Sequence, residues 1–415
     1  MQPSEPDPTP SADPSAVKER PWLFAFLIAP TAVIEVGLVN GALAFLLRRE
    51  GIGPAHSSAL VALLTIPHTI YFLWCPVADF WISRRSWILL ASAAASATMI
   101  LAFYQTSLSS PWAIRFILLS FCLSLLVTAS CGGIMGGFAS EINRRRAGSF
   151  YQAGSLAFSA IAVFSLVGLA DRYTLPTLGW VLAAFIFLPA LAAFALPAQQ
   201  TPSAQTLSAT VSRIGREFKV TFLRWDAIPY TLLVTLPMCS GAMIGLLPAL
   251  AVDFGVSGAQ VAWLNGLAGA LLTTLGSLSV SLIPQRIRPP VAFLLAGLAN
   301  AASLGILALG PLRPSVYFVS TILYLFTIGA CWALFTGVAL EFLGRSGKSG
   351  GARYSLINSL GNLPVAYMAY LDGRGYAHWG VRGMPAIDAV LSASAAALLL
   401  LYFLLHRAPR RVVAA

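Results

Sequence analysis

Charged residues are scarce in this sequence. Asp, Glu, Lys and Arg make up 10% of the 415 residues and hydrophobic residues make up 58%, whereas a soluble domain carries about 25% charged residues. A chain of this composition cannot hide its apolar side chains from water. The sequence therefore excludes an ordinary soluble protein and predicts an all-α integral membrane protein.

Groups of side chains that hold metals or perform catalysis are also missing from the sequence. The four histidines are dispersed and no Walker-type nucleotide motif occurs, so we expect no enzyme, no ATP hydrolysis and no cofactor. The five cysteines lie in apolar stretches without metal-ligand spacing, which is typical of buried free thiols. They are Cys75, Cys122, Cys131, Cys239 and Cys331.

Positive charge is in excess, with a net charge of +11. The basic residues form short clusters between apolar runs rather than a continuous basic face, which argues against binding of nucleic acid. If the N-terminus lies in the cytoplasm, 19 of the 26 Lys and Arg residues fall on the cytoplasmic side. The positive-inside rule therefore predicts that both termini are cytoplasmic.

Apolar runs that can cross a bilayer, which takes about 20 residues each, occur twelve times. An even number of spans returns the chain to the side on which it began. The predicted spans are 22–47, 56–79, 86–106, 112–138, 150–170, 175–196, 227–250, 259–282, 289–309, 315–340, 354–371 and 384–405.

The predicted domain organisation follows from these runs. Residues 1–20, rich in Pro, Ser and Asp, indicate a disordered cytoplasmic tail, and 407–415 form a basic cytoplasmic tail. Two six-helix bundles occupy 21–196 and 227–406. Between them, 197–226 is predicted to be a cytoplasmic linker with an amphipathic helix, which either lies on the membrane surface or packs on the ends of the spans.

The chain repeats itself with an offset of 200 residues, which divides it into two similar, parallel halves of six helices. Asn40-Gly41-Ala42 corresponds to Ser240-Gly241-Ala242. Other matched positions are Leu125, Cys131, Gly137, Ala139 and Glu141, which recur as Leu325, Cys331, Gly337, Ala339 and Glu341.

This organisation resembles the major facilitator superfamily of transporters. Members carry a motif G-x-L-A-D-R-x-G-R-K/R after the second helix, and residues 75–85 retain its acid, Asp79, and its basic pair, Arg84 and Arg85, without the two glycines. The stretches 72–79 and 148–156 are more similar to the branch of AmpG-type muropeptide permeases and acetyl-CoA transporters, to which certain siderophore permeases are related. The resemblance implies a solute site between two rocking halves.

Glu35 and His68 are the predicted proton-coupling residues. Glu35 lies near the middle of the first span, where an ionisable group is costly and is functional by default. The resemblance adds that acids on the first helix couple protons in several branches of the superfamily. A permanent pair with a neighbouring helix is the alternative. His68 is predicted to share a proton with Glu35 or to hydrogen-bond the solute. Because it follows Pro67, the alternative is that it caps carbonyl groups that the proline frees.

Polar and aromatic residues on spans one, five, ten and eleven are predicted to line the solute site. The alternatives are hydrogen bonds between helices for the polar residues and simple packing for the tryptophan. These residues are Asn40, Tyr151, Gln152, Ser155, Trp332, Tyr354, Asn358 and Asn362.

Charged residues near the cytoplasmic ends of the helices are predicted to form a gate, and ordinary solvated charges are the alternative. The predicted gate residues are Asp79, Arg84, Arg85, Glu141, Glu341 and Arg353. Asp388, beside Arg382 at the start of the last span, is expected to form an ion pair at the membrane interface.

The sequence thus predicts a secondary active transporter in a bacterial inner membrane, working as a monomer among membrane lipids. We expect it to import a small organic solute, muropeptide-like or siderophore-like, with the proton gradient as its energy source. An efflux or facilitative carrier of the same fold is the first alternative. A non-transporting membrane sensor and a membrane-embedded acyltransferase are further alternatives.

Overall fold

A computed structural model describes residues 19–74, 77–78, 81–136, 138, 141–196, 207–284, 286–343 and 350–405. Within these ranges every regular element is a helix. Of the predicted tails, residues 1–18 and 407–415 lie outside the described residues. The helices form twelve membrane-spanning segments in two groups of six, as the apolar runs predict.

The first six spans follow the predicted ranges closely, except at the start of the fifth. Several are built from two or more consecutive helices. The first combines Pro21–Leu23, Phe24–Leu27, Ala29–Thr31, Ala32–Ala42 and Leu43–Arg49; the second, Pro54–Thr69 and Tyr71–Trp74; then come Arg84–Phe103, Pro111–Gly136, Glu141–Leu169, and Leu175–Ala190 with Leu191–Ala195.

The second six spans repeat this arrangement. The seventh combines Ile228–Thr235, Ala242–Leu250 and Ala251–Phe254; the eighth, Gly258–Val261, Ala262–Ala268, Gly269–Ser279 and Val280–Leu282; then come Pro289–Leu309, Pro314–Leu343, Gly350–Gly361 with Leu363–Trp379, and Gly383–Leu405, preceded by the short turn Gly380–Arg382.

Two predicted helix starts and one predicted end are wrong. The fifth span begins at Glu141 rather than at 150, so the basic cluster 144–146 belongs to a helix and not to a loop. Arginine is a good helix former, and this stretch has no proline that would end a helix. The eleventh span begins at Gly350 and continues to Trp379, well past the predicted end at 371.

A helix, Leu207–Phe222, lies between the halves. Its last residue, Phe222, is 8% exposed and meets the ring of Phe342 edge-on, with ring centroids 5.7 Å apart. Phe342 belongs to the tenth span, so this end of the helix packs on the membrane-spanning bundle. The domain boundaries on either side stay predictions.

The two sides of the protein are named here by the chain ends. Because the number of spans is even, Arg20 and Leu405 lie on one side, the terminal side, and the loop after Arg49 lies on the other, the far side. On the far side the ends of the first and seventh spans are buried: Leu47 and Leu250 are both 0% exposed.

Three helix crossings join the halves: the first span with the seventh, the fifth with the eighth and the second with the eleventh. At each crossing the C-terminal half supplies a glycine, whose missing side chain lets two backbones approach closely. The glycines and the residues that they meet are Gly245 with Asn40, Gly266 with Phe164 and Gly373 with Ser58.

Candidate functional site

A cavity of about 380 Å³ lies between the two halves. It is lined by spans one, two and five of the N-terminal half and by spans seven, ten and eleven of the C-terminal half. Seven of the ten residues predicted to couple protons or to bind solute line it: Glu35, His68, Asn40, Gln152, Trp332, Asn358 and Asn362.

In this cavity a hydrogen bond joins Glu35 and His68, between His68 Nδ1 and Glu35 Oε1. Their side chains are 13% and 22% exposed. A carboxylate only accepts hydrogen bonds, so the contact requires a proton on one of the two groups. His68 Nδ1 thus contacts the acid on the neighbouring span, an arrangement that fits both the proton-sharing interpretation and the alternative of a permanent pair.

Two aromatic rings hold His68 in place. The ring of Phe121 lies edge-on at 6.5 Å between centroids, and that of Tyr71 at 6.1 Å. Phe121 is fully buried. The imidazole is therefore confined between the fourth span, which carries Phe121, and the acid on the first span.

Glu35 and Asn40 line the same wall of the cavity because the first span has an unusual helical geometry there. Residues Ala32–Ala42 form a π-helix, whose hydrogen bonds run from residue i to i+5. This wider turn lets two side chains five residues apart face the same space, whereas an α-helix would rotate them well away from each other. π-Helical segments are frequent at functional sites.

The seventh span is broken where it meets the cavity. Leu236 is extended (φ −79°, ψ 160°) because it precedes Pro237, and a residue before proline avoids the helical region. Cys239 and Gly241 both have positive φ, 58° and 79°. The break turns Cys239, Ser240 and Gly241 into the cavity wall.

Uncharged amides and hydroxyls supply most of the remaining polarity. Asn358 and Asn362 share one face of the eleventh span, as predicted, and the Asn362 amide donates to the Asn358 carbonyl oxygen at 2.9 Å. Thr65, Ser240 and Thr336 add hydroxyl groups, and Trp332 and Phe335 add aromatic faces.

Three predicted binding residues are not among those lining the cavity. Tyr151 packs against the apolar cluster at the terminal side that contains Leu23 and Phe24. Ser155 is half-buried on the fifth span. The backbone of Tyr354 lies in the helix Gly350–Gly361, but its side chain is outside the described part of the chain.

The predicted gate residues that the structure describes make contacts within their own halves. Arg85 donates to the Leu196 carbonyl oxygen at 3.1 Å, and the guanidinium group of Arg84 lies over Gly133. Glu341 accepts from Arg288 at 2.6 Å and from Tyr230 at 2.5 Å.

These contacts do not join the halves, so a gate role for them stays a prediction. Asp79 lies outside the described residues, as do the side chains of Glu141 and Arg353.

An ion pair that joins the halves lies on the far side instead. Arg48, at the end of the first span, contacts Asp253, at the end of the seventh, at 3.1 Å. Tyr376 also donates to Asp253, at 3.5 Å. The sequence carried a signal for this pair, since opposite charges follow long apolar runs at equivalent ends of the two halves.

The expected interfacial ion pair of Asp388 is wrong. Asp388 is 2% exposed and accepts a hydrogen bond from Ser392 at 3.0 Å, whereas Arg382 donates to the carbonyl oxygen of Gly310 at 3.3 Å. Sequence analysis also missed the cavity residues Thr65, Phe335 and Cys239. The matched tripeptides at 40–42 and 240–242 could have indicated Ser240 and Gly241.

Comparison with known proteins supports the fold. No family model matches the sequence, and no curated protein is significantly similar to it. The nucleoside transporter NupG is 14% identical, with a TM-score of 0.64 over 93% of this chain and 98% of that one. A POT family transporter in complex with 5-aminolevulinic acid is 12% identical, with a TM-score of 0.67 over 92% and 95%.

A D-xylose–proton symporter is similar to the same degree: it is 16% identical, with a TM-score of 0.65 over 91% of this chain and 95% of that one. At these identities the likeness concerns the fold. Twelve helices in two parallel sets of six, with a cavity between them, give this chain the fold of the major facilitator transporters.

Proposed function

We propose that this protein is a proton-coupled secondary transporter, not an enzyme, which moves a small organic solute by alternating access. The bonded pair of Glu35 and His68 in the cavity between the halves carries this proposal. In such a fold the solute site lies at the interface of the two repeats, which rock to open it to either side in turn.

The pair can hold one proton or two. With one proton, Glu35 and His68 attract each other and the contact stays closed. A second proton neutralises the carboxyl while the imidazolium remains, which weakens the attraction and frees Glu35 to bond a solute. If the second proton enters from one side and leaves to the other, its movement is coupled to that of the solute.

The cavity wall favours a neutral solute with hydroxyl or amide groups and one apolar face. Four amide side chains line it, and Trp332 and Phe335 offer surfaces on which a ring can stack. Two of the similar structures are those of a nucleoside transporter and a D-xylose–proton symporter. A muropeptide-like or siderophore-like solute, suggested by two short stretches of the sequence, is the alternative.

The orientation in the membrane is proposed from the distribution of charge. The excess of Lys and Arg on the terminal side supports a cytoplasmic location for both termini, and a bacterial inner membrane supplies the proton gradient that the pair would use. We therefore propose import, and we propose that the monomer is the working unit.

Transport into liposomes with an imposed pH gradient tests the proposal. Nucleosides, sugars, short peptides, muropeptides and siderophores would be offered to the reconstituted protein, acid outside. We expect one class to accumulate. Glu35→Gln and His68→Gln should abolish accumulation but retain exchange of labelled for unlabelled solute, since exchange needs no net proton movement.

Two substitutions of the same kind outside the cavity serve as controls. Glu50→Gln changes an acid on the far-side loop, and His378→Gln changes an exposed histidine. Both should accumulate solute as the unmodified protein does. Accumulation by Glu35→Gln at the full level would refute proton coupling through this pair, and uptake that ignores the gradient would identify a facilitative carrier.

A further inference from the structure

Two further acids lie inside the C-terminal half, away from the cavity wall. Asp372 on the eleventh span is 0% exposed and Asp388 on the twelfth is 2% exposed. Each is a few residues from the far-side end of its helix, so they lie at similar depth. Ionisable residues in membrane spans are rare and expensive, and they need a physical reason.

The two carboxyl groups have almost no other partners. The eleventh and twelfth spans pack against each other, and the two carboxyl groups interact with each other electrostatically. Asp388 Oδ1 accepts from the Ser392 hydroxyl, but Asp388 Oδ2 and both oxygens of Asp372 accept no hydrogen bond from a described residue. Among the described residues, no Lys, Arg or His forms an ion pair with either acid.

The groups that face this pair are neutral. Tyr324 of the tenth span, Tyr367 of the eleventh and Cys239 of the seventh interact with it. The ninth span, packed on the twelfth, has no titratable residue in Pro289–Leu309.

The second span, packed on the eleventh, carries two histidines. His56 is exposed, and His68 is bonded to Glu35. Neither supplies a counter-ion to the acid pair.

We propose that Asp372 and Asp388 form a second proton-binding site, in which one proton is shared between them. Two carboxylates side by side in an apolar interior cannot both be ionised without a counter-ion. Asp372, which lacks any other donor, holds the proton and donates it to Asp388 Oδ2. Asp388 carries the charge, because the Ser392 hydroxyl also stabilises it.

Ser392 links this site to the cavity. Its hydroxyl is within reach of both Asp388 Oδ1 (3.0 Å) and the Pro237 carbonyl oxygen (3.2 Å), but it has only one hydrogen to donate. While Asp388 is ionised, that hydrogen is held by the carboxylate. When Asp388 gains a proton it can donate to Ser392, and Ser392 then donates to Pro237. Binding of the second proton therefore tightens the break of the seventh span, which forms the cavity wall at Cys239 and Ser240.

Infrared absorption of protonated carboxyl groups tests the shared proton. The full chain with Glu35→Gln serves as the parent, so that Glu35 contributes nothing, and no solute is required. We expect a protonated-carboxyl band at neutral pH. Asp372→Asn should remove it, because the amide introduced by this substitution supplies the donor and Asp388 stays ionised, whereas Asp388→Asn should retain it on Asp372.

Asp372→Asn/Asp388→Asn should lack the band and, as a neutral pair of the same shape, should fold. Absence of the band from the parent, or its persistence in that double variant, would overturn the shared proton.

Labelling of Cys239 by a maleimide tests the link to the cavity. The parent for this measurement has Cys75, Cys122, Cys131 and Cys331 replaced by Ala. Its labelling rate is divided by the rate of the same protein with both Asn substitutions, measured at the same pH. This ratio removes the pH dependence of the thiol itself.

We expect this ratio to change about fivefold, the effect of one hydrogen bond, at the pH at which the infrared band titrates. Ser392→Ala should keep the band and make the ratio constant. A constant ratio in the parent, or a ratio that still changes in Ser392→Ala, would refute the link. Failure of Glu35→Gln to affect transport would leave both readouts unaffected, so this site is tested independently of the proposed transport.

Discussion

The first and seventh spans occupy equivalent places in the two halves, yet they have different backbones. The first continues through the cavity as a π-helix, whereas the seventh breaks between Thr235 and Ala242. With the offset of 200 residues, Pro237 stands where the first span has Gly37. Proline removes a backbone donor and prevents the preceding residue from being helical, so one residue accounts for the break.

The chemistry of the two spans diverges at the same level. Glu35 corresponds to Thr235 and Asn40 to Ser240. The N-terminal half thus supplies the ionisable group, held by His68, and the C-terminal half supplies an irregular backbone with small side chains. The two halves thus keep equivalent helices but differ in backbone and in side-chain chemistry where they line the cavity.

The largest expected effect comes from removing the partner of the acid. His68→Ala leaves the Glu35 carboxylate buried without a counter-charge, which should destabilise the protein by about 3 kcal/mol. Thermal unfolding in detergent measures this loss of stability, with Thr235→Val, at the place in the other half that corresponds to Glu35, expected to change little. Unfolding of His68→Ala at the temperature of the unmodified protein would contradict the structural role of the pair.

A smaller effect is expected at the glycine crossings that join the halves. A Cβ on Gly373 would collide with Ser58 and lie 3.0 Å from the Ala55 carbonyl oxygen. Gly373→Ala should therefore cost about 2 kcal/mol, typical of overpacking, and open the far side. Gly305→Ala is the matched control, since nothing lies near a Cβ there. Cysteine accessibility from the far side reports the opening; equal accessibility in the two variants would argue against a closed crossing.

The ion pair between the halves should contribute less. Arg48 and Asp253 are partly exposed, at 27% and 17%, so a double-mutant cycle with Arg48→Gln and Asp253→Asn should give about 1 kcal/mol of coupling. Each substitution should also favour opening on the far side. A coupling energy of zero would show that the pair does not hold the halves together.

The smallest effect is expected within one half. Glu341→Gln weakens bonds to Arg288 and Tyr230, all in the C-terminal half, and should lower stability by about 0.5 kcal/mol, as for an exposed ion pair. Because these bonds do not cross between halves, accessibility of the cavity should stay constant. A change in accessibility as large as that of Arg48→Gln would restore Glu341 as a gate residue.

The wrong end predicted for the eleventh span has a cause that is visible in the sequence. The end of a span is usually polar, and residues 372–374 are Asp, Gly and Arg. The sequence therefore predicts an end at 371 and does not single out Asp372. The helix continues to Trp379, with Asp372 buried and Arg374 exposed. Hydropathy averages over all faces of a helix and cannot tell an acid in a loop from one that faces a protein interior.

The sequence by itself determined the membrane location, the twelve spans, the two halves and seven of the residues in the cavity wall. It could do so because a bilayer forces each span to satisfy its own backbone hydrogen bonds. The length and apolarity of a span can therefore be read from one continuous stretch of sequence. Only the tertiary structure decided that Glu35 meets His68, that Arg48 meets Asp253 and that Asp372 and Asp388 lie together. Those pairings depend on how each helix is rotated and where it is broken, which is set by packing between segments far apart in the chain.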